Sequence, residues 1–250
     1  MGEIKLMKVW VLIMVFFVSS LANAGSRSEC DIDASVIAGN YKISIEQGDR
    51  AASVSSLNIW RRDNEVAHQH SDRKITEIWN KLSNDRIRVV RYFDAHKHGI
   101  EYQADEIGAG EGLNEWSKKA QLISQSFKQS MHLDKVEGYA CDRLEYYTKN
   151  TSQKNISMVW SPSLSLPVEY KEIGPGKLVE MHLLKRITDK KQINNFFTLR
   201  ESYKSTDYAD IGDNESDPFL SNMINLGFIE HGASGFYNAN GEVMAAGHAH

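Results

Sequence analysis

The sequence lacks the short motifs that identify most hydrolases and nucleotide-binding proteins. It contains no Gly-x-Ser-x-Gly, no Cys-x-x-Cys and no His-Glu-x-x-His. The glycine-rich segment GAGEG at 108–112 has neither the lysine nor the preceding strand of a phosphate-binding loop. We therefore expect a non-catalytic protein and assign no catalytic residue. A hydrolase whose residues are scattered along the chain is the enzymatic alternative.

Long apolar runs are also absent, except for one at 9–18, which follows Lys5 and Lys8. A run of about 10 residues is too short to span a bilayer, which takes roughly 20. An Ala-x-Ala pattern at 22–24 completes the features of an export signal over residues 1–24. We expect a mature chain that begins at Gly25, has no transmembrane segment, and is periplasmic or secreted.

Cysteine is scarce, since only Cys30 and Cys141 are present. In an oxidising compartment such a pair most simply forms one disulfide bond. The alternative is a pair of free thiols that bind a metal. Neither cysteine has a second cysteine or a histidine at ligand spacing, which favours the disulfide.

Basic residues are missing from the last part of the chain. Residues 205–250 contain no lysine or arginine but seven acids, whereas residues 25–204 are nearly neutral, with 27 basic and 25 acidic residues. We therefore divide the mature chain into a domain over 25–204 and an acidic C-terminal arm over 205–250. Five of the acids lie within 207–217, where a calcium site is the alternative to a solvated turn. Nucleic-acid binding requires a clustered basic surface. The nearly neutral domain and its acidic arm argue against nucleic acid as a partner.

The pattern that is present is alternation, which predicts roughly eight or nine antiparallel strands. Apolar residues recur at helical spacing from Leu113 to Met131, which predicts one long amphipathic helix between two groups of strands. Asp217-Pro218 is typical of a helix start, and 188–204 fits neither helix nor strand. The expected class is α+β, a strongly curved antiparallel sheet or open half-barrel wrapped on that helix. The strand segments are SSLNIWRR, EVAHQH, KITEIWNKL, RIRVVRYF, IEYQA, YACDRLEYYT, NISMVWSP, SLSLPVEYKEIG and KLVEMHLLKRI.

The second group of strands resembles a known superfamily. KVEGYACDRLEYY followed by NISMVWSPSLSLPVEYKE contains a strand opened by Gly138, a strand ending in Trp160 and a strand built on Leu166-Pro167. This order is similar to that of the periplasmic LolA/RseB-like half-barrel proteins, the lipoprotein carriers and their stress-sensor relatives. The resemblance covers roughly residues 50–187 and leaves 205–250 unexplained. It implies an apolar cavity between sheet and helix that takes a lipid or lipoprotein-like hydrophobic ligand.

These features lead to a ranked expectation. We expect an exported binding protein of the cell envelope that acts as a carrier or sensor for a hydrophobic small molecule or lipoprotein. A fold of this kind would line its cavity with large apolar side chains of the sheet and the helix. The expected ligand-cavity residues are Trp60, Trp79, Leu122, Ile123, Trp160 and Leu166.

The alternative is a periplasmic protein that binds zinc or copper. Six of the nine histidines fall in His-x-His pairs, more than random placement usually gives. Residues i and i+2 of a strand share a face, so each pair presents two imidazoles to one metal ion. Solvated surface positions are the simpler reading of the same residues. The candidate metal ligands are His68, His70, His96, His98, His248 and His250.

Overall fold

The fold is an open antiparallel sheet covered by short helices. A computed structural model describes residues 30–83, 86–103, 112–211, 216–225, 236–237 and 243–244. The expected export signal and the pair His248 and His250 lie outside the described residues. No helix among the described residues has the length and hydropathy to cross a membrane.

Twelve strands form one sheet in the order β12-β6-β5-β4-β3-β2-β1-β11-β10-β9-β8-β7. Neighbouring strands are antiparallel except β12 and β6, which are parallel. Strands β12 and β7 are the two edges, so the sheet is not closed, and the expected α+β half-barrel is confirmed. The strands are β1 (Ala38–Gln47), β2 (Ser53–Arg62), β3 (Glu65–His70), β4 (Ile75–Lys81), β5 (Ile87–Phe93), β6 (His98–Tyr102), β7 (His132–Glu137), β8 (Leu144–Asn150), β9 (Asn155–Ser161), β10 (Leu166–Gly174), β11 (Lys177–Ile187) and β12 (Lys204–Asp207). A separate hairpin pairs β13 (Phe236–Tyr237) with β14 (Val243–Met244).

The long helix expected from the sequence is instead two helices, α1 (Gly112–Gln121) and α2 (Gln125–Gln129). The break falls at Leu122, whose φ of 62° lies in the left-handed region and cannot continue an α-helix. Ser124 then caps α2, because its hydroxyl accepts a hydrogen bond from the Phe127 amide at 3.2 Å. The apolar stripe continues across the break, which is why periodicity alone predicted one helix.

The sheet has two covered faces. The face beneath α1, α2 and α4 (Pro218–Asn225), called the inner face here, carries three adjoining apolar clusters. The opposite or outer face is covered by α3 (Lys190–Glu201), whose Ile193, Phe196 and Phe197 pack on Trp60 and Ala67. Alternation along each strand separates the two sets of side chains, so both faces have their own core.

Part of the acidic arm belongs to the body of the protein. Strand β12 extends the main sheet, and Ile211, Leu220 and Met223 are buried in the inner-face core. Asp217 starts α4 as expected, since its carboxylate accepts a hydrogen bond from the Phe219 amide at 2.9 Å. The boundary expected at 205 therefore falls inside a strand of the main sheet.

A disulfide bond joins Cys30 to Cys141, as expected, across 111 positions of sequence. Cys141 lies in a short 3-10 turn, Ala140–Asp142, which separates β7 from β8. The sequence segment expected as one strand from Tyr139 onwards is therefore a turn followed by β8. Gly138 starts that turn with a φ of 70°, and a Cβ there would lie 2.3 Å from the Asp142 carbonyl oxygen.

Candidate functional site

A cavity of about 500 Å³ lies on the inner face between the two helices and the strands β8 and β9. Its wall combines side chains of α1, of α2, of the two strands and of the turn that joins β9 to β10. Its volume is in the range of cavities that hold small organic ligands. The lining residues are Gln121, Gln125, Lys128, Gln129, Met131, Glu145, Tyr147, Trp160, Pro162 and Ser165.

Strand β9 contributes an apolar side chain to the cavity, Trp160, because of the alternation along this strand. Ile156, Met158 and Trp160 occupy every second position of this strand and are all buried on the inner face. Ile123 and Phe127 pack against the same cluster from the helix side. Trp160 and Met131 of this cluster line the cavity and form an apolar part of its wall that an alkyl chain or ring would contact.

The rim of the cavity is charged. The Lys128 ammonium lies 4.3 Å from the centre of the Trp160 ring and 3.4 Å from a Glu145 carboxylate oxygen. Tyr147 donates a hydrogen bond of 2.7 Å to Glu145. Burial alone would raise the pKa of Glu145, but Tyr147 and Lys128 outweigh it and lower that pKa below its usual value. Burial and the bond to Glu145 raise the pKa of Tyr147 to about 12. Glu145 therefore stays ionised at the rim of the cavity at neutral pH.

One end of the site is closed by the turn between β9 and β10. Two buried side chains of the neighbouring half of the sheet hold it, since Arg61 donates to the Leu164 carbonyl and Tyr41 donates to the Pro167 carbonyl at 2.8 Å. Burial raises the pKa of Tyr41 above its usual value, so its hydroxyl remains a donor. Ser165 within this turn has a φ of 49° and lines the cavity.

The expected cavity residues divide between the two faces. Trp160 lines the cavity, and Ile123 packs in the cluster beneath it. Leu122 and Leu166 lie in the adjoining inner-face cluster, and Trp79 lies farther along the same face. Trp60 is on the outer face, stacked on Phe196 with 4.1 Å between ring centres. The strand register explains this position, because Trp60 pairs with Ala38 and Ala67, which both face outwards.

The rim residues Lys128, Glu145 and Tyr147 were not expected from the sequence. Glu145 and Tyr147 alternate along β8 and pair with Trp160 and Met158, so the same alternation rule places them on the inner face. The alternation along β8 could therefore have predicted that Glu145 and Tyr147 lie on the inner face. The closeness of Lys128 depends on how α2 lies against the sheet, which the sequence does not specify.

Three of the four described candidate histidines, His68, His96 and His98, contact groups other than a metal site. A ring nitrogen of His68 lies 2.8 Å from the Lys119 carbonyl oxygen, and one of His98 lies 2.8 Å from the Thr206 hydroxyl. His98 stacks on Phe219 at 4.3 Å, and His96 contacts the same ring. Within the described part of the chain, no three metal-ligating side chains converge. The pair His248 and His250 lies outside the described residues.

Solved structures provide similar folds, whereas no family model and no curated protein matches the chain. A DUF1329 family protein from Desulfovibrio piger is 8% identical with a TM-score of 0.32, and the match covers 65% of this chain and 89% of that one. MucB in the Pseudomonas aeruginosa MucA/MucB complex is 12% identical with a TM-score of 0.31, over 63% of this chain and 54% of that one. A putative outer membrane lipoprotein-sorting protein domain from Vibrio parahaemolyticus is 7% identical with a TM-score of 0.28, over 67% and 92%. Matches with TM-scores of this size carry no argument about the family or the ligand of this chain.

Proposed function

We propose that this chain is a non-catalytic binding protein of the cell envelope that carries or senses a hydrophobic ligand, such as a lipid or the acyl chain of a lipoprotein. The observation that supports this most directly is the cavity of about 500 Å³ between α1, α2 and the strands β8 and β9. Trp160 and Met131 give part of its wall an apolar surface, and the buried Ile156 and Met158 belong to the same cluster.

The architecture suits reversible binding. The helices α1 and α2 are short and are separated at Leu122, and α2 buries none of its residues. Few apolar contacts therefore hold α2 on the sheet, and elements of this kind open at low free-energy cost. A ligand would enter the cavity by displacing α2 and would then contact Trp160 and Met131.

Export to the periplasm or the medium is part of this proposal. It rests on the signal-like residues 1–24 and agrees with the disulfide between Cys30 and Cys141, which is typical of oxidising compartments. Secretion of the natural protein with loss of residues 1–24, read by mass spectrometry of the mature N-terminus, tests this part separately.

The binding test uses the fluorescent lipophilic dye N-phenyl-1-naphthylamine. We expect saturable binding with one dye per chain, reversed by competing long-chain lipids. Gln129→Trp should weaken binding strongly, because Gln129 lines the cavity and an indole there would fill it. Ser126→Trp is the matched control, on the same helix but away from the lining, and should bind as the unmodified chain does. Equal binding by both variants, or no binding at all, would overturn the proposal.

A further inference from the structure

One buried cation near the cavity lacks an ionic partner. Arg61 on β2 is only 6% exposed, its Nη2 donates to the Leu164 carbonyl, and its Nε has no hydrogen-bond partner among the described residues. Burial lowers the pKa of Arg61 to about 10, although the neighbouring Tyr41 raises it, so the guanidinium remains charged at neutral pH. An isolated buried charge costs several kcal/mol unless an opposite charge is supplied.

The other two buried arginines show what is missing. Arg91 lies 2.8 Å from a Glu77 carboxylate oxygen, and Arg200 lies 3.1 Å from a carboxylate oxygen of Asp94. Within the described part of the chain, no carboxylate forms an ion pair with Arg61. Among the described residues, two of the three buried arginines therefore have a carboxylate partner, and Arg61, on the inner face, does not.

Arg61 contacts the turn that closes one end of the ligand site. Its acceptor, Leu164, belongs to the turn whose Pro162 and Ser165 line the cavity of about 500 Å³. Leu164 also lines a second cavity, of about 290 Å³, with Val168 and other residues. The guanidinium therefore hydrogen-bonds a turn whose residues line both cavities.

We propose that the ligand is an amphiphile with an anionic head group and that Arg61 binds the oxygens of that head group. This inference rests on the proposed function, since it assigns the polar end of the ligand whose apolar end occupies the cavity. A guanidinium matches a carboxylate or phosphate group because two parallel N–H groups can donate to two oxygens. The apolar side chains around Arg61, including Ile59 and Val66, exclude water and strengthen that interaction.

The test compares three probes with the same sixteen-carbon chain: hexadecanoate, hexadecyl phosphate and hexadecanol. Binding is measured by displacement of N-phenyl-1-naphthylamine and by titration calorimetry. We expect at least one of the two anions to bind the unmodified chain about tenfold more tightly than the alcohol, as one charged hydrogen bond gives. The stronger anion distinguishes a fatty-acid carboxylate from a phosphate head group.

Arg61→Gln should remove this preference while the alcohol still binds. Arg62→Gln is the matched control, because Arg62 is the next residue on the same strand, points to the other face and pairs with Glu65 and Glu201. If Arg61→Gln does not fold, the Nε–H resonance of Arg61 in the unmodified chain serves instead, and it should shift with an anionic probe but not with hexadecanol. Equal affinity for anions and alcohol, or no such shift, would overturn the role of Arg61 and leave the proposed function standing. No binding of any probe or of the dye would overturn both.

Discussion

An ion pair between Glu77 of β4 and Arg91 of β5 lies in the inner-face core. The two residues are paired across neighbouring strands, and they are 2% and 6% exposed. Two donors of the guanidinium reach the same carboxylate oxygen at 2.8 and 2.9 Å. Removing one charge leaves the other buried without compensation, so Glu77→Gln should lower the free energy of unfolding by about 3 to 5 kcal/mol.

Urea unfolding followed by tryptophan fluorescence measures this loss. Lys135→Gln is a suitable comparison, because the pair of Lys135 with Glu137 is exposed to solvent and its loss should change the free energy of unfolding little. Similar losses for the two variants would show that Glu77 and Arg91 are not in the low-dielectric environment that the fold gives them.

The His68 ring is the second residue with a measurable consequence. It contacts the Trp79 ring, with 4.5 Å between ring centres, and lies beside the Lys119 carbonyl. Burial, and then the Lys119 ammonium, lowers the pKa of His68 from 6.5 to about 3. Between these two pH values the unfolded chain binds a proton that the folded chain does not bind. Stability from this group is therefore complete above about pH 6.5 and is lost as the pH falls towards 3.

We expect the free energy of unfolding to fall by about 1.4 kcal/mol for each pH unit per such histidine over this range. Burial also lowers the pKa values of His70 and His98, which add in the same direction. His68→Gln should reduce the slope, whereas His132→Gln should not, because His132 is on the exposed strand β7. An unchanged slope in His68→Gln would show that the ring is protonated in the folded state.

Among the strands, β7 is the least protected. All six of its residues are exposed, and it pairs only with β8. By contrast, β4 lies between β3 and β5, and its first five residues are buried. Local opening is easiest where few apolar contacts hold the backbone, so the amides of β7 should exchange with deuterium well before those of β4.

Hydrogen exchange read by mass spectrometry of peptides from 132–137 and 75–81 tests this order. The comparison is internal, since both segments are strands of one sheet in one sample. Equal protection of the two segments would mean that another chain covers β7 in solution and that this edge of the sheet is an interface.

The sequence predicted most of the elements that alternate, but strand β1, with Tyr41, Ile43 and Ile45 at every second position, was not expected. Strands β2 to β6 and β9 to β11 follow period-two patterns and were expected near their observed bounds. Strand β7 was not expected, because a strand with every residue exposed has no alternation. Helix α3 follows Asp189, which accepts hydrogen bonds from Lys191 and Gln192, but its short apolar set did not distinguish it from a strand.

The candidate site was less predictable than the fold. Trp160 and Ile123 were expected near a cavity because large apolar side chains were placed on a sheet and a helix. The charged rim residues Lys128 and Glu145 come from different elements, and only the way these elements pack brings them within 3.4 Å. Arg61 lies in an ordinary strand pattern, and its missing counter-ion is visible only when the surrounding residues are known.

At the scale of the whole molecule, the two halves of the sheet meet through strands far apart in sequence. Strand β1 pairs with β2 on one side and with β11 on the other. Non-local pairing of this kind must overcome a large loss of chain entropy before it gains contacts. The disulfide from Cys30 to Cys141 reduces that loss, because it links the start of the described chain to the turn before β8.

Removal of the disulfide should therefore lower the free energy of unfolding more than any other single covalent change. Closing a loop across 111 positions lowers the entropy of the unfolded chain by an amount equivalent to about 4 to 5 kcal/mol. In urea unfolding, the double variant Cys30→Ser, Cys141→Ser should have a free energy of unfolding lower by this amount. A reductant should lower the free energy of unfolding of the unmodified chain by a similar amount. The same reductant should leave the double variant unchanged, which separates the bond from other effects of reduction. If the double variant were as stable as the oxidised chain, the disulfide would not stabilise the fold by restricting the unfolded state. Contacts within the folded sheet alone would then hold its two halves together.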